Sequence, residues 1–316
     1  MFLNMNIVIL GAAGFIGTNI LIELAKNTEN NITAVDKSLT YFSHLKNLNL
    51  SNVFFRESPL LVDSDYDSLV SGADIVYHLI STTVPTTSNQ HITQELQSNV
   101  ILSSNLFEAC VRKNVKKIVF ISSGGTVYGK EHNCPLNEDS PTNPITAYGI
   151  QKIAIEKLLY LYKYMYNLDY RIIRLANPYG PYQRPNGILG AVTTFIYKAL
   201  KNETIDIYGD GSVVRDFIFI DDAVRALQKI VNGNEMYRTY NLGCGYGTSI
   251  KQVVDCIKKT LGLNLIINYK EPRKVDVPVN YLDIHRYETA FGSLNPTSLE
   301  DGIKKTASFM RKFYCM

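Results

Sequence analysis

The stretch Asn6-Ile7-Val8-Ile9-Leu10, followed by Gly11-Ala12-Ala13-Gly14-Phe15-Ile16-Gly17, decides the fold. Its first part is a short β-branched apolar run that reads as a buried strand, and its second part spaces three glycines as G-x-x-G-x-x-G. Ile20, Leu21 and Leu24 then recur at helical spacing, so the chain reads strand, tight turn, helix. Glycines in such a turn permit positive φ and let the backbone approach a pyrophosphate, whose charge is favoured by the free N–H groups and the dipole at the helix start. A glycine pattern alone is a weak sign of a nucleotide site. The next strand sharpens it: Ile32 to Val35 ends in Asp36, about 20 residues beyond the glycines, where a carboxylate accepts hydrogen bonds from an adenosine ribose and repels a 2′-phosphate. NAD is therefore favoured over NADP, although the neighbouring Lys37 leaves phosphate binding open and Asp36 would also suit a plain strand-end turn.

Outward from this unit the alternation continues. Strands are predicted at Val53–Phe55, Asp74–Leu79 and Lys117–Ser122, with a helix over about Thr93–Lys113 that carries Asn99 in its middle. Strand-helix alternation of this kind predicts a doubly wound parallel sheet, an α/β fold in which ligands collect outside the carboxyl ends of the strands. Those ends carry His78-Leu79-Ile80-Ser81 and Ser122-Ser123-Gly124-Gly125-Thr126-Val127-Tyr128-Gly129. His78 by itself reads more readily as a packed structural histidine than as a catalytic one. Ser81–Gln90, rich in Ser, Thr and Pro, reads as a flexible loop beside the cofactor, and Pro135–Pro144 as a surface loop. The chain then enters an amphipathic helix from Ala147 to about Tyr166, beginning with Tyr148-Gly149-Ile150-Gln151-Lys152. Residues i and i+4 share a helix face, so the Lys152 ammonium is expected near the Tyr148 phenol, where it would lower a pKa that is ordinarily about 10. A bare Tyr-x-x-x-Lys is usually an ordinary helix pair, and its weight here comes from its surroundings.

At 316 residues the chain has room for two lobes, and 46% hydrophobic residues without a low-complexity tract mark a globular protein. A formal charge of +3, with basic residues dispersed, gives no nucleic-acid footprint. Five cysteines without a C-x-x-C pair, and without ligand spacing to the five histidines, predict neither a metal site nor a disulfide frame. The apolar run before Gly11 is too short for a signal peptide or a membrane span, so the cytoplasm is the default compartment.

Taken together, Gly11 to Gly17, Asp36, the Ser122 to Gly129 block and Tyr148-x-x-x-Lys152 resemble the extended short-chain dehydrogenase/reductase family, in particular its NAD-dependent nucleotide-sugar epimerases of the UDP-galactose/UDP-glucose 4-epimerase type. Arg174 to Pro181, Gly209-Asp210-Gly211-Ser212-Val213-Val214-Arg215-Asp216-Phe217-Ile218, Tyr240 to Gly243 and Pro272-Arg273-Lys274-Val275-Asp276 extend the resemblance over nearly the whole chain. It implies a Rossmann domain of residues 1–177, with about 215–242 returning to it, and a smaller α/β nucleotide-sugar lobe of 178–214 and 243–316. Residue by residue it implies that Gly11, Gly14 and Gly17, with Phe15 and Ile16, cradle the pyrophosphate and that Asp36 and Lys37 meet the adenosine end. Leu79, Asn99 and Ser122 fall at further cofactor positions, and Lys152 at one that touches the nicotinamide ribose and tunes the base Tyr148. Thr83, Asn177, Arg215, Arg273 and Asn280 fall at substrate positions, the arginines suited to a diphosphate by their planar fork. A homodimer through the helices near 93–113 and 147–166, and a part in surface polysaccharide synthesis, are also family habits.

The chain departs from the pattern in places. The family normally has Ser or Thr where Gly124 stands, so the hydroxyl beside the tyrosine must come from elsewhere, with Thr126 preferred over Ser123. Arg56-Glu57-Ser58 replaces the usual acidic and apolar residues near the adenine. Asn280 replaces a bulky aromatic residue of hexose-only enzymes, which leaves room for an N-acetylated sugar. The resemblance implies 4-epimerisation of a UDP-hexose or UDP-N-acetylhexosamine through a 4-keto intermediate. A 4,6-dehydratase or decarboxylase would carry acids where Gly125 and Thr126 stand, a 4-ketoreductase would ordinarily need NADPH, and a non-catalytic NAD(H) sensor would have no need of both Tyr148 and Lys152.

Overall fold

The apolar run that opens the chain forms β1 (Asn6–Leu10) in a computed structural model that describes residues 4–81, 88–130, 133–185, 190–233, 236–273 and 277–315. The chain continues through α1 (Phe15–Ala25), β2 (Asn31–Asp36), β3 (Val53–Glu57), α2 (Tyr66–Val70), β4 (Ile75–His78), α3 (Ile92–Leu96), α4 (Leu102–Arg112), β5 (Lys117–Ser123), α5 (Ala147–Tyr166) and β6 (Asp169–Leu175). Then come β7 (Asn177–Tyr179), α6 (Ala191–Lys201), β8 (Ile205–Tyr208), β9 (Val214–Arg215), β10 (Phe217–Phe219), α7 (Ile220–Asn232), β11 (Thr239–Leu242), β12 (Thr248–Ser249), α8 (Ile250–Leu261), β13 (Ile267–Lys270), β14 (Val279–Asn280), α9 (His285–Phe291) and α10 (Leu299–Phe313).

Seven strands make one sheet in the order β11-β6-β5-β4-β1-β2-β3, with β1 parallel to both β2 and β4. This is the doubly wound Rossmann arrangement, and its topological switch point lies between β1 and β4. Parallel strands are covered on both faces, which is why Ile7 to Leu10 and Ile75 to His78 are buried without alternation. Each fully buried Leu or Ile contributes about 1.5–3 kcal/mol.

The described residues fall into two compact units. The first comprises Met1–Ser122, Thr146–Ile173 and Met236–Thr239. Its core packs Val8, Leu10, Val76, Leu106, Phe107, Phe120, Ile155 and Leu159 between sheet and helices. In the second, Ser123–Ile145, Arg174–Glu235 and Tyr240–Met316, a core of Val192, Ile196, Ile205, Phe219, Val253, Ile257 and Ile303 joins α6, α8 and α10 to β8 and β10.

Two expectations are corrected here. The helix predicted over 93–113 is interrupted by a π-helical turn, Gln97–Ile101, between α3 and α4. And Pro135–Pro144 is more than a solvated loop: Leu136 and Glu138 are buried, Glu138 Oε1 accepting the Asn241 N–H at 2.8 Å and Leu136 bridging to Leu282. Neither contact is visible locally, because each partner lies over a hundred residues away.

Candidate functional site

In the first unit the glycine turn caps the switch point. Gly11 adopts φ +85° and donates to Val35 O at 2.9 Å. A Cβ on Gly17 would lie 2.3 Å from Gly11 O and 2.8 Å from Ala12 Cα, so only glycine lets α1 close on the turn. Gly14 caps α1 with no side-chain hydrogen bond, which leaves the helix start, with Phe15 and Ile16 half-buried behind it, open to an anion. Asp36 reaches across from the end of β2, its Oδ2 accepting the Ala13 N–H at 3.0 Å and its Oδ1 that of Lys37 at 2.9 Å, while Lys37 itself is exposed over the Tyr41 ring. A cradle that a side chain would fill, an uncapped helix start and a carboxylate at the strand end together fit a dinucleotide. Arg56 and Glu57, the departures noted near the adenine, are tied to Ser68 and to the Leu39 N–H.

Beyond the switch point, Leu79 is half-buried and donates its N–H to Leu10 O at 3.0 Å. Asn99 is buried in the π-helical turn, a device that often marks functional sites, and its Nδ2 donates to Glu95 O at 3.0 Å and Ser98 Oγ at 3.1 Å. His78 holds this turn from below. Ser103 Oγ donates to Asn99 O, so it receives its 2.7 Å bond from the His78 Nε2–H, and the His78 Nδ1 is left as a buried lone pair with no hydrogen-bond partner among the described residues. Burial, with the Lys152 charge adding to it, pushes the His78 pKa down to about 3, so the ring is neutral.

Tyr148 and Lys152 open α5, whose first turn is capped by Thr146 Oγ1 accepting the Gly149 N–H at 3.2 Å. Lys152 is buried, donates to Ile121 O at 2.8 Å and lies 5.4 Å from the centre of the Tyr148 ring. The helical spacing thus does bring the two together. Its electrostatic consequence differs from the expectation: burial pushes the Tyr148 phenol up to about 12, opposed only by a hydrogen bond from Ser81, and pulls Lys152 down to about 8 against the pull of Glu156. Desolvation governs both groups, because removing water penalises both charged forms. Ser122 is also buried, and its hydroxyl donates to Glu156 Oε1 one turn beyond Lys152.

In the second unit, Asn177, Arg215 and Asn280 come together around Asp216. Asn177 donates to Asp216 O from both its backbone and its Nδ2, at 3.0 and 2.9 Å. Arg215 faces Asn280 in the β9–β14 register and donates to Val214 O and Val277 O. Asn280 is buried, and its Nδ2 has no hydrogen-bond partner among the described residues. The Asp216 carboxylate gathers the N–H groups of Cys244, Gly245 and Leu282, and burial raises its pKa to about 6. Arg273 stands apart, its guanidinium stacked 3.6 Å over the Tyr208 ring. Thr126 Oγ1 is buried without a partner among the described residues, Ser123 is half-buried, and Gly124 donates to Leu175 O at 2.8 Å. Thr83 and Lys274-Val275-Asp276 lie outside the described residues, as does most of the loop expected over Ser81–Gln90.

Sequence reasoning missed Asp216, Glu156 and Tyr208. Glu156 had a signal, four residues beyond Lys152 on the same helix face, and Asp216 sits next to an arginine already singled out. Tyr208 had none.

A family model described as the NAD dependent epimerase/dehydratase family matches residues 7–243. A putative UDP-glucose 4-epimerase of Methanocaldococcus jannaschii is 33% identical over 308 residues, 96% of this chain and 98% of the relative. Among solved structures, the UDP-glucose 4-epimerase of Thermotoga maritima with UDP-glucose matches with a TM-score of 0.89 at 33% identity, covering 98% of this chain and 100% of that one. The UDP-N-acetylglucosamine 4-epimerase of Methanobrevibacter ruminantium in complex with UDP-N-acetylmuramic acid matches with a TM-score of 0.90 at 28% identity, covering 98% and 99%.

Proposed function

The chain belongs to the NAD dependent epimerase/dehydratase family, and on that premise we propose that it is a 4-epimerase of a UDP-hexose or a UDP-N-acetylhexosamine. The observation that carries this reading is the presence in one unit of the Gly11–Gly17 turn with Asp36 and of the Tyr148 phenol beside Lys152. Bound NAD supplies the hydride acceptor and a positive charge that favours the phenolate. Tyr148 then takes the proton of the sugar 4-hydroxyl and returns it after the 4-keto sugar has turned over, a general acid–base step. Lys152, fixed to Ile121 O, holds the nicotinamide ribose, and Asn99 braces the same end of the cofactor. Thr126 or Ser123 contacts the sugar. Thr83, Asn177, Arg215 and Arg273 bind the substrate, and remote binding energy of the nucleotide anchors the sugar while its ring turns.

Asn280 supports the N-acetylated arm of the proposal: it is small, and its buried Nδ2 is a donor, without a partner among the described residues, for an acetamido carbonyl. NAD binding is assigned to residues 1–177 with 215–242, and nucleotide-sugar binding to 178–214 with 243–316. The assembly proposed is a homodimer through α4 and α5, in keeping with the exposed Ile101 just before α4 and the exposed Tyr160, Leu161 and Tyr164 on α5. Incubation with UDP-glucose, UDP-galactose and their N-acetyl amines, with products read by NMR, tests the reaction. A 4-epimer of one of them is expected, and failure on all four overturns the reading.

A further inference from the structure

We infer that His78 is a positioning residue: through Ser103 it holds the π-helical turn that carries Asn99, and so fixes the grip of Asn99 on the cofactor. This rests on the reading in which Asn99 braces the nicotinamide end of NAD.

All the groups involved lie in the first unit. His78 ends β4, in register with Leu10 of β1, the residue before the glycine turn, and with Phe120 of β5. Its ring packs against Phe107 of α4, 6.2 Å between ring centres, and against Phe120 at 5.3 Å. Ser103 lies one turn before Phe107 on the same face of α4, and its Oγ stands 2.7 Å from His78 Nε2. The Phe120 ring also meets Lys152, whose Nζ is 4.7 Å from its centre. One imidazole thus stands among the strand before the glycine turn, the helix after Asn99 and the ring that Lys152 touches.

The bonding runs in one direction. The Asn99 carbonyl can only accept, so the Ser103 hydroxyl places its proton there, at 2.5 Å, and accepts from the imidazole. His78 is thereby held to the tautomer with its proton on Nε2. Its Nδ1 has no hydrogen-bond partner among the described residues, so nothing there competes for that proton. A serine that bonds back to the carbonyl four residues before it is ordinary, and by itself only bends a helix slightly. Here His78, Ser103 and Asn99 are all buried, and solvent does not reach the hydroxyl to replace the imidazole.

A π-helical turn carries about one residue more than an α-turn. Without the bond to Asn99 O it can relax to the α form. Each α-helical residue turns the chain by about 100°, so losing one residue of winding would carry the Asn99 side chain about that far from its place. The bonds of Asn99 Nδ2 to Glu95 O and Ser98 Oγ come from the same helical run and would move with it, whereas the His78 bond comes from the sheet.

The test compares His78→Leu, His78→Gln, Ser103→Ala, Asn99→Ala and the double variant of Ser103→Ala with Asn99→Ala, all as NAD-loaded protein without sugar. The readout is the rate at which bound NAD exchanges for labelled NAD. Asn99→Ala, Ser103→Ala and His78→Leu should each speed exchange about tenfold, the worth of about one hydrogen bond. His78→Gln, whose amide can donate from nearly the same place, should restore the slow rate. The double variant should exchange no faster than Asn99→Ala, because Ser103 acts through Asn99. Effects that instead multiply to about a hundredfold would mark a general structural role and overturn the inference, as would native exchange in both His78→Leu and Ser103→Ala. Should His78→Leu fail to fold, the cycle of Ser103→Ala with Asn99→Ala decides alone. Nitrogen NMR of ring-labelled histidine, with His78→Gln identifying the signal, should find the proton on Nε2; a proton on Nδ1 overturns the bonding direction and the inference with it. Exchange unmoved by Asn99→Ala would remove the role of Asn99 and the inference together. Failure of every UDP-sugar would sink the epimerase reading alone, because exchange needs no sugar.

Discussion

Leu282 occupies the space that a side chain on Gly124 would need: a Cβ there would lie 2.5 Å from Leu282 Cδ1, 3.0 Å from Cδ2 and 3.1 Å from Arg174 O. Gly124→Ser, which would restore the hydroxyl expected from the family pattern, should therefore destabilise the protein by about 1–3 kcal/mol through overpacking. Denaturant unfolding checks this. Leu282→Ala combined with Gly124→Ser should recover part of the loss if the clash is its cause, and an additive loss would refute that.

Tyr148→Phe keeps the ring and removes the phenol oxygen. Turnover should fall by about 10²–10⁴-fold, while NAD affinity, which the proposal assigns mainly to the Gly11–Gly17 turn and Asp36, should change little. Product assays beside a cofactor-binding titration measure both, and retained turnover would show that the base lies elsewhere.

His78 gives the protein an acid-sensitive point. Its folded pKa, about 3, lies below its ordinary 6.5, so the unfolded chain binds the proton more readily. The stability this difference contributes is complete above pH 6.5 and is lost as pH falls from 6.5 towards 3. Unfolding midpoints measured across that window should drop towards acid, and His78→Gln should flatten the slope. An unchanged slope would place the acid sensitivity in other groups.

Tyr160 and Tyr164, 63% and 79% exposed on α5, are one turn apart on the helix. A double change to lysine should leave the fold intact and convert the proposed dimer to a monomer in sedimentation or light scattering. Dimers that persist would move the interface away from α5.

The fold was legible because its determinants are local. Three glycines at fixed spacing, an aspartate at the end of the next strand and apolar runs of strand length specify a turn, a carboxylate and a parallel sheet whatever lies elsewhere. Tyr148 and Lys152 were legible for the same reason, since helix geometry alone puts i and i+4 on one face. The helix through Asn99 was legible in extent but not in its π-helical turn, which is held by His78 and Ser103 from outside the turn.

What depended on burial and on distant partners could not be read from neighbouring residues. Lys152 beside Tyr148 suggested a lowered phenol pKa, yet packing removes the water that stabilises the phenolate and the shift goes the other way. Gly124 suggested a missing hydroxyl, and Leu282, remote in the chain, is what fills its place. Short-range spacing carries backbone geometry and shared helix faces; the charge state of a group and the identity of its hydrogen-bond partner are set by whatever long-range folding brings around it, and so were decided only when the chain closed on itself.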